Sequence, residues 1–251
     1  MSILDELLVA IDDQTEMRMD QIRELYPQHS YQTLSAAVGR LSNWGWLNKS
    51  DEQVSSYQVS QSGNDYINQT LDAIRLSEKS WSGNWFAAAV RLPEDGRKLR
   101  DRLRHYFLDH GYGRFIDSLW ISPWNRQAEL APVIREYGAG AHVFVFETQP
   151  MGLATNQIII NQAWDWPTLT TKLTEFIPDF ERRATALAQL STQIDGPGGR
   201  LRLRLAAKNL VFDYGALLHS GPNLPADLSL TRKEDAVLRN LYEQVRPYCY
   251  N

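Results

Sequence analysis

The chain has 251 residues, 43% of them hydrophobic and 22% charged, with a net charge of −4 and a single cysteine, Cys249. That balance supports one to three packed domains and speaks against a protein that coats nucleic acid through bulk charge. It also excludes an intramolecular disulfide and a cysteine-built metal cluster. No apolar run of about 18 residues offers a membrane span, and acids follow Met1 where a secretory signal carries cations, so a cytoplasmic protein with no membrane contact is expected.

In chain order, Ile3-Leu4, Leu7-Leu8 and Ile11 have helical spacing with acids on the opposite face. Met19 to Tyr26 reads as a second short helix, stopped by Pro27. Ser30 caps a third helix, on which Leu34, Val38 and Leu41 form the inward stripe and which Gly45 closes. Trp46-Leu47 and Tyr57 to Ser60 are the two arms of a hairpin around the polar stretch Asn48 to Ser56, and Gly63 to Leu71 is a further helix. Three helices followed by a hairpin is the winged helix-turn-helix pattern, with Asn48 to Ser56 as the wing.

Residues 1–70 hold ten Asp and Glu against four Lys and Arg, a net of −6, which opposes DNA binding. Residues 25–50, however, contain no acid and do contain His29, Arg40 and Lys49. Duplex binding requires an absence of repulsion where phosphates are met, not across a whole domain. On the third helix Gln32, Thr33, Ala36, Gly39 and Arg40 face outward, with side chains able to pair adenine or guanine or to touch a thymine methyl. The candidate DNA-binding set is therefore Ser30, Gln32, Thr33, Ala36, Arg40 and Lys49. The same residues also occur on plain solvated helix faces.

From Lys79 onward the pattern changes. Asn84 to Leu92 is an apolar strand, and Pro93-Glu94-Asp95 opens a helix running to Leu108 and ending at Gly111. Gly113 to Ile116 and Ser118 to Ser122 are short strands, Arg126 to Tyr137 a helix, and His142 to Glu147 a last strand. The order βαββαβ is that of a ferredoxin-like fold. After Met151 the chain is mainly helical, with Trp164 to Phe176, a break at Ile177-Pro178-Asp179, Phe180 to Gln193, a loop at Asp195 to Gly199, and a final helix from Arg232 to Gln244. Leu201 to Leu205 suits strand or helix by period, and Ala206-Ala207-Lys208 favours the helix. The domains expected are 1–78, 79–150 and 151–251, in an α+β chain.

The five histidines, at 29, 105, 110, 142 and 219, show no spacing suited to a metal. Gly196-Pro197-Gly198-Gly199 lacks the lysine of a phosphate loop, so no cofactor is expected. Arg97, Lys98, Arg100, Arg102 and Arg104 suit the phosphates of DNA or of a nucleotide, or a solvated face. Arg200, Arg204 and Lys208 have fewer acids nearby and are the weak candidates for an anionic ligand.

Trp85, Pro93-Glu94, Arg97, Arg100-Asp101, Leu103-Arg104, Gly111-Tyr112-Gly113 and Leu119 to Pro123 resemble the PaaX-like family of bacterial transcriptional repressors, as does Gly221-Pro222-Asn223-Leu224-Pro225-Ala226-Asp227-Leu228. The resemblance implies an N-terminal winged helix, a central ferredoxin-like domain similar to Cas2 nucleases, and a helical C-terminal domain. It implies a homodimeric repressor that leaves a double-stranded DNA operator on binding an aromatic acyl-CoA-type effector. Cas2 enzymes place an aspartate at the end of the first strand; Ala87 to Arg91 has none, so no catalysis is expected, and the central domain is read as a dimerisation or coupling module. The alternative is a protein-interaction module whose winged helix no longer binds DNA.

Overall fold

The computed structural model describes residues 2–50, 55–93, 96–149, 155–194, 196–229 and 232–250. These form two compact units, one of residues 1–72, 175–216 and 234–251, the other of residues 73–174 and 217–233.

In the first unit, α1 (Ile3–Gln14) starts at Ser2, whose hydroxyl accepts the Asp5 N–H while the Asp5 carboxylate accepts the Ser2 N–H. The two close a reciprocal cap. After β1 (Met17–Arg18) come α2 (Met19–Leu25), α3 (Tyr31–Asn43), β2 (Leu47–Lys49), β3 (Ser56–Val59) and α4 (Gln61–Ser77). The hairpin of β2 and β3 gains a third strand: β1 pairs antiparallel to β3, Met17 opposite Tyr57 and Arg18 opposite Ser56, giving the order β1-β3-β2. Residues 51–54 of the expected wing lie outside the described residues.

In the second unit, β4 (Trp85–Val90), α5 (Arg97–Asp109), β5 (Gly113–Ile116), β6 (Leu119–Ser122), α6 (Gln127–Glu136) and β7 (Val143–Thr148) follow the expected βαββαβ order. The sheet order is β5-β6-β4-β7, and every neighbouring pair is antiparallel. Ala88, Trp120 and Val143 pack with Leu103, Phe107 and Leu130 from α5 and α6. On the alternate side chains, Trp85, Ala87 and Ile121 pack with Ile159, Ile160 and Ala163 of α7 (Asn156–Ala163). Gly113 allows this approach, because a Cβ there would meet Ala163 Cβ and the Trp164 ring at 2.6 Å. Leu224 and Leu228 of the proline turn join the same cluster, and the Trp124 indole N–H donates to the Asn223 carbonyl at 2.6 Å.

The remaining elements are α8 (Trp166–Ser191), α9 (Gly196–His219), α10 (Arg232–Val245) and a 3-10 turn (Arg246–Tyr250). Three expectations change here. Residues 151–251 do not stand as a unit of their own: Leu205 and Phe212 of α9 are buried in one cluster with Leu7, Ile22, Leu34 and Leu41. The break at Pro178 is absent, since α8 runs through it and Phe176 stacks on Phe180 at 5.4 Å. The loop expected at Asp195 to Gly199 is, from Gly196, the first turn of α9, where a proline fits because its missing N–H has no intrahelical partner anyway.

The Asp13 carboxylate at the end of α1, with its side chain 3% exposed, is gripped by α9. Arg204 reaches it through Nε at 3.1 and 3.2 Å and through a second nitrogen at 2.9 Å, and Lys208 Nζ lies 2.6 Å away. Burial raises the carboxyl's pKa, but the hydrogen bonds from Arg204, Lys208 and Gln14 outweigh it and hold the pKa below its ordinary value. A carboxyl depressed on folding stabilises the fold above its unfolded pKa of about 4 and ceases to do so as pH falls through the folded value. Asp13→Asn should therefore cost about 2 kcal/mol at pH 7, by urea unfolding, with the gap to the wild type narrowing toward pH 3.

Candidate nucleic-acid interface

The exposed face of α3 follows from its sequence. Leu34, Ala37, Val38 and Leu41 are buried, which turns Gln32, Ala36, Gly39 and Asn43 outward, with Arg40 and Thr33 on one flank and Tyr31 and Ser35 on the other. Ser30 is the N-cap: its hydroxyl accepts the Thr33 N–H at 3.2 Å and lies 2.9 Å from the Thr33 hydroxyl. These two predicted contact residues are thus engaged with each other at the helix start. Gln32, Ala36 and Arg40 are exposed, and neither Arg40 nor Lys49 has an ion-pair partner among the described residues. The six predicted residues are not one cluster: Ser30, Gln32, Thr33, Ala36 and Arg40 share α3 and its cap, whereas Lys49 stands at the end of β2.

Gly39 carries a signal of its own. A Cβ at that position meets nothing within 4 Å, so packing does not require glycine there. Glycine inside a helix costs up to about 1 kcal/mol relative to alanine. With Ala36 it leaves the middle of the outward face low, bordered by longer polar side chains.

The far end of α3 is fastened firmly. Gly45, at φ +74°, donates its N–H to the Ser42 carbonyl, and the Trp46 N–H reaches back to the Leu41 carbonyl, both at 2.9 Å. This 6→1 and 5→2 pair closes the helix and needs a left-handed residue between. Trp46 then stacks on Tyr66 at 4.2 Å, and Tyr66 meets Phe212 edge-on at 5.9 Å. Burial and the neighbouring Asp5 push the Tyr66 hydroxyl up to about 12. Two aromatics that the sequence reasoning passed over stand at the ends of the helix: Tyr31 is 56% exposed and Trp44 53%. Trp44 touches Trp46 edge-on at 5.2 Å. Both fall outside the i, i+4, i+7 stripe, and that was the available signal.

The weak anion-site candidates fare differently. Arg204 and Lys208, expected to have few acids nearby, both pair with Asp13, a partner 191 residues away from Arg204 in sequence. Arg200 is exposed. Among the described residues no group of three or more His, Cys, Asp or Glu is placed to hold a metal ion, and no helix is long and apolar enough to cross a membrane.

Three comparisons bear on the chain. Residues 78–160, which contain the whole four-stranded sheet, match the family described as PaaX protein central Cas2-like domain. Over 222 residues the chain is 25% identical to the transcriptional repressor PaaX of Escherichia coli, covering 84% of this chain and 68% of that protein. The solved structure of the uncharacterized protein Rv0674 from Mycobacterium tuberculosis is similar at a TM-score of 0.48 and 22% identity, covering 87% of this chain and 82% of that one.

Removal of the Ser30 hydroxyl tests the local frame of α3. Ser30→Ala should lower stability by about 1 kcal/mol in denaturant unfolding, whereas Gln32→Ala, exposed and uninvolved in the cap, should change it by less than about 0.5 kcal/mol.

Proposed function

Because the chain belongs to the PaaX-like family, we propose that it is a DNA-binding transcriptional repressor, not an enzyme, and that α3 is the reading helix of a winged helix-turn-helix. The observation that carries this is the outward face of α3: acid-free, low at Ala36 and Gly39, and flanked by Gln32 and by Arg40, which has no ion-pair partner among the described residues. Gln32 and Arg40 read bases or grip phosphate, and Ala36 and Gly39 let the helix seat deeply in the major groove. Lys49, at the end of β2, meets the backbone from the wing. Ser30 and Thr33 act by fixing the first turn, whose free N–H groups suit a phosphate.

Few cations serve this surface, so the reading includes a homodimer that presents two copies of α3 to an operator of two half-sites. It also includes release by a small anionic effector of the aromatic acyl-CoA kind. If that effector uses Arg200, Arg204 and Lys208, it must displace the Asp13 carboxylate from the last two, which ties its binding to the seating of α1.

A second reading, a protein-interaction module whose winged helix has lost DNA, draws on the exposed Tyr31 and Trp44, since aromatics of this kind are enriched at protein interfaces. It predicts that Trp44→Ala abolishes capture of a stable partner and that no salt-dependent duplex binding exists.

Under the repressor reading, Arg40→Ala and Gln32→Ala each weaken binding to duplex from the protein's own promoter region by about tenfold, with the fold intact by circular dichroism. Gly39→Ala gives opposite signs in two assays: it raises stability by about 0.5–1 kcal/mol and lowers promoter affinity. Equal affinity of the wild type for promoter and random duplex at moderate salt would falsify the repressor reading.

A further inference from the structure

Helix α5 carries five cations between residues 97 and 104, namely Arg97, Lys98, Arg100, Arg102 and Arg104, against the single acid Asp101. All five are exposed, and none has an ion-pair partner among the described residues; Arg102 instead lies over the Tyr137 ring at 5.6 Å. Apart from that contact and a hydrogen bond from the Arg100 guanidinium to the Pro93 carbonyl at 3.4 Å, their placement works against the helix. Its first turn holds no acid, so Arg97, Lys98 and Arg100 sit at the positive end of the helix dipole, where cations are unfavourable. Arg97 with Arg100, Arg100 with Arg104, and Lys98 with Arg102 are also like charges three or four residues apart, a spacing that destabilises a helix. Glu94 and Asp95, which precede it in sequence, lie outside the described residues.

The charge of the chain is unevenly divided as well. The unit containing α3 has 12 Lys and Arg against 19 Asp and Glu, a net of −7, while the unit containing α5 has 14 against 11, a net of +3. Duplex binding draws its affinity from cations that displace counterions at phosphates. The α3 surface offers Arg40 and Lys49, four cations in a dimer, whereas the α5 face adds five per chain.

We propose that the arginine face of α5 is a second nucleic-acid contact, which grips the phosphate backbone of double-stranded DNA without reading bases. The inference rests on the reading of the chain as a duplex-DNA binder. Arg97, Arg100 and Arg104 fall within an arc of about 60° and span about 10 Å of helix, enough to meet two or three phosphates of one strand. Guanidinium groups suit phosphate oxygens through paired donors. The helix offers no exposed aromatic on which the bases of a single strand would stack; Tyr106 is half-buried and stacked on His110 at 3.9 Å. That favours duplex over single-stranded DNA or RNA.

The test uses the full chain with two duplexes of equal length, one from the promoter region and one of random sequence, titrated from 50 to 200 mM salt. Arg97→Gln/Arg100→Gln/Arg104→Gln should weaken binding to both by the same factor, about tenfold or more at the lower salt. It should reduce the slope of log affinity against log salt by about 2–3. A control triple, Lys79→Gln/Arg135→Gln/Lys172→Gln, removes as many exposed charges from the same unit and should leave the slope unchanged. The melting temperature of the α5 triple should equal or exceed the wild type's. If it falls, Arg97→Gln alone, with an expected slope change of about 1, decides the matter. A slope unchanged by the α5 variants, or changed equally by the control, overturns the inference, as does competition by single-stranded RNA or an acidic peptide stronger than by duplex. Failure of the promoter preference with the α5 slope effect intact sinks the reading of α3 and not this contact.

Discussion

Asp13 sets the terms for its unit. A carboxylate buried that deeply stays ionised only if cations meet it, and both cations come from a helix almost two hundred residues later in the chain. Once Arg204 and Lys208 are committed to that contact, α9 must lie along α1, and its apolar side chains fall into the N-terminal core. Leu205 and Phe212 are buried there with Leu7, Ile22, Leu34 and Leu41, and Gly215 brings α9 so near α4 that a Cβ would stand 2.7 Å from the Thr70 carbonyl. The first three helices therefore do not form a small independent module tethered to the rest. Their core is completed by residues whose role no N-terminal pattern reveals.

This explains which features were legible in the sequence. Those that depend on neighbours within a few residues could be read: the Ser30 cap, the Leu34–Val38–Leu41 stripe, the Gly45 stop, and the alternation of strands and helices from Trp85 to Thr148. Each arises from a local hydrogen bond or from a hydrophobic period of 2 or 3.6 residues. The two-residue β1 is too short to show any period, and only its pairing with Tyr57 and Ser56 makes it a strand. The continuity of α8 through Pro178 was hidden for a different reason. Proline costs a helix one hydrogen bond, and here that loss is offset by aromatic packing on both sides of it, Phe176 on Phe180 and Phe180 on Tyr214.

The candidate site shows the same division. The outward position of Gln32, Ala36 and Arg40 could be read because the buried stripe of α3 fixes its opposite face. What the sequence could not show was engagement. Arg204 and Lys208, which look unbalanced within α9, are balanced by a distant acid. Charge read in a window of neighbours misjudges Arg204 and Lys208, because a partner's proximity in sequence and in space are unrelated across an interhelical contact.

An unpaired charge in a folded protein costs little in water, but a row of like charges placed against a helix dipole has to be explained by something outside the fold. The cations of α9 find a carboxylate and become part of the architecture. Among the described residues the cations of α5 find none, and the helix that carries them is less favourable for it. The acid-poor face of α3 poses the converse problem, since it offers shape and hydrogen-bonding groups with almost no charge. A surface that reads a polyanion without cations binds weakly, and a surface of cations without readers binds indiscriminately. Each surface lacks what the other has, and that complementarity is the physical ground of the proposal that both serve one DNA-binding protein.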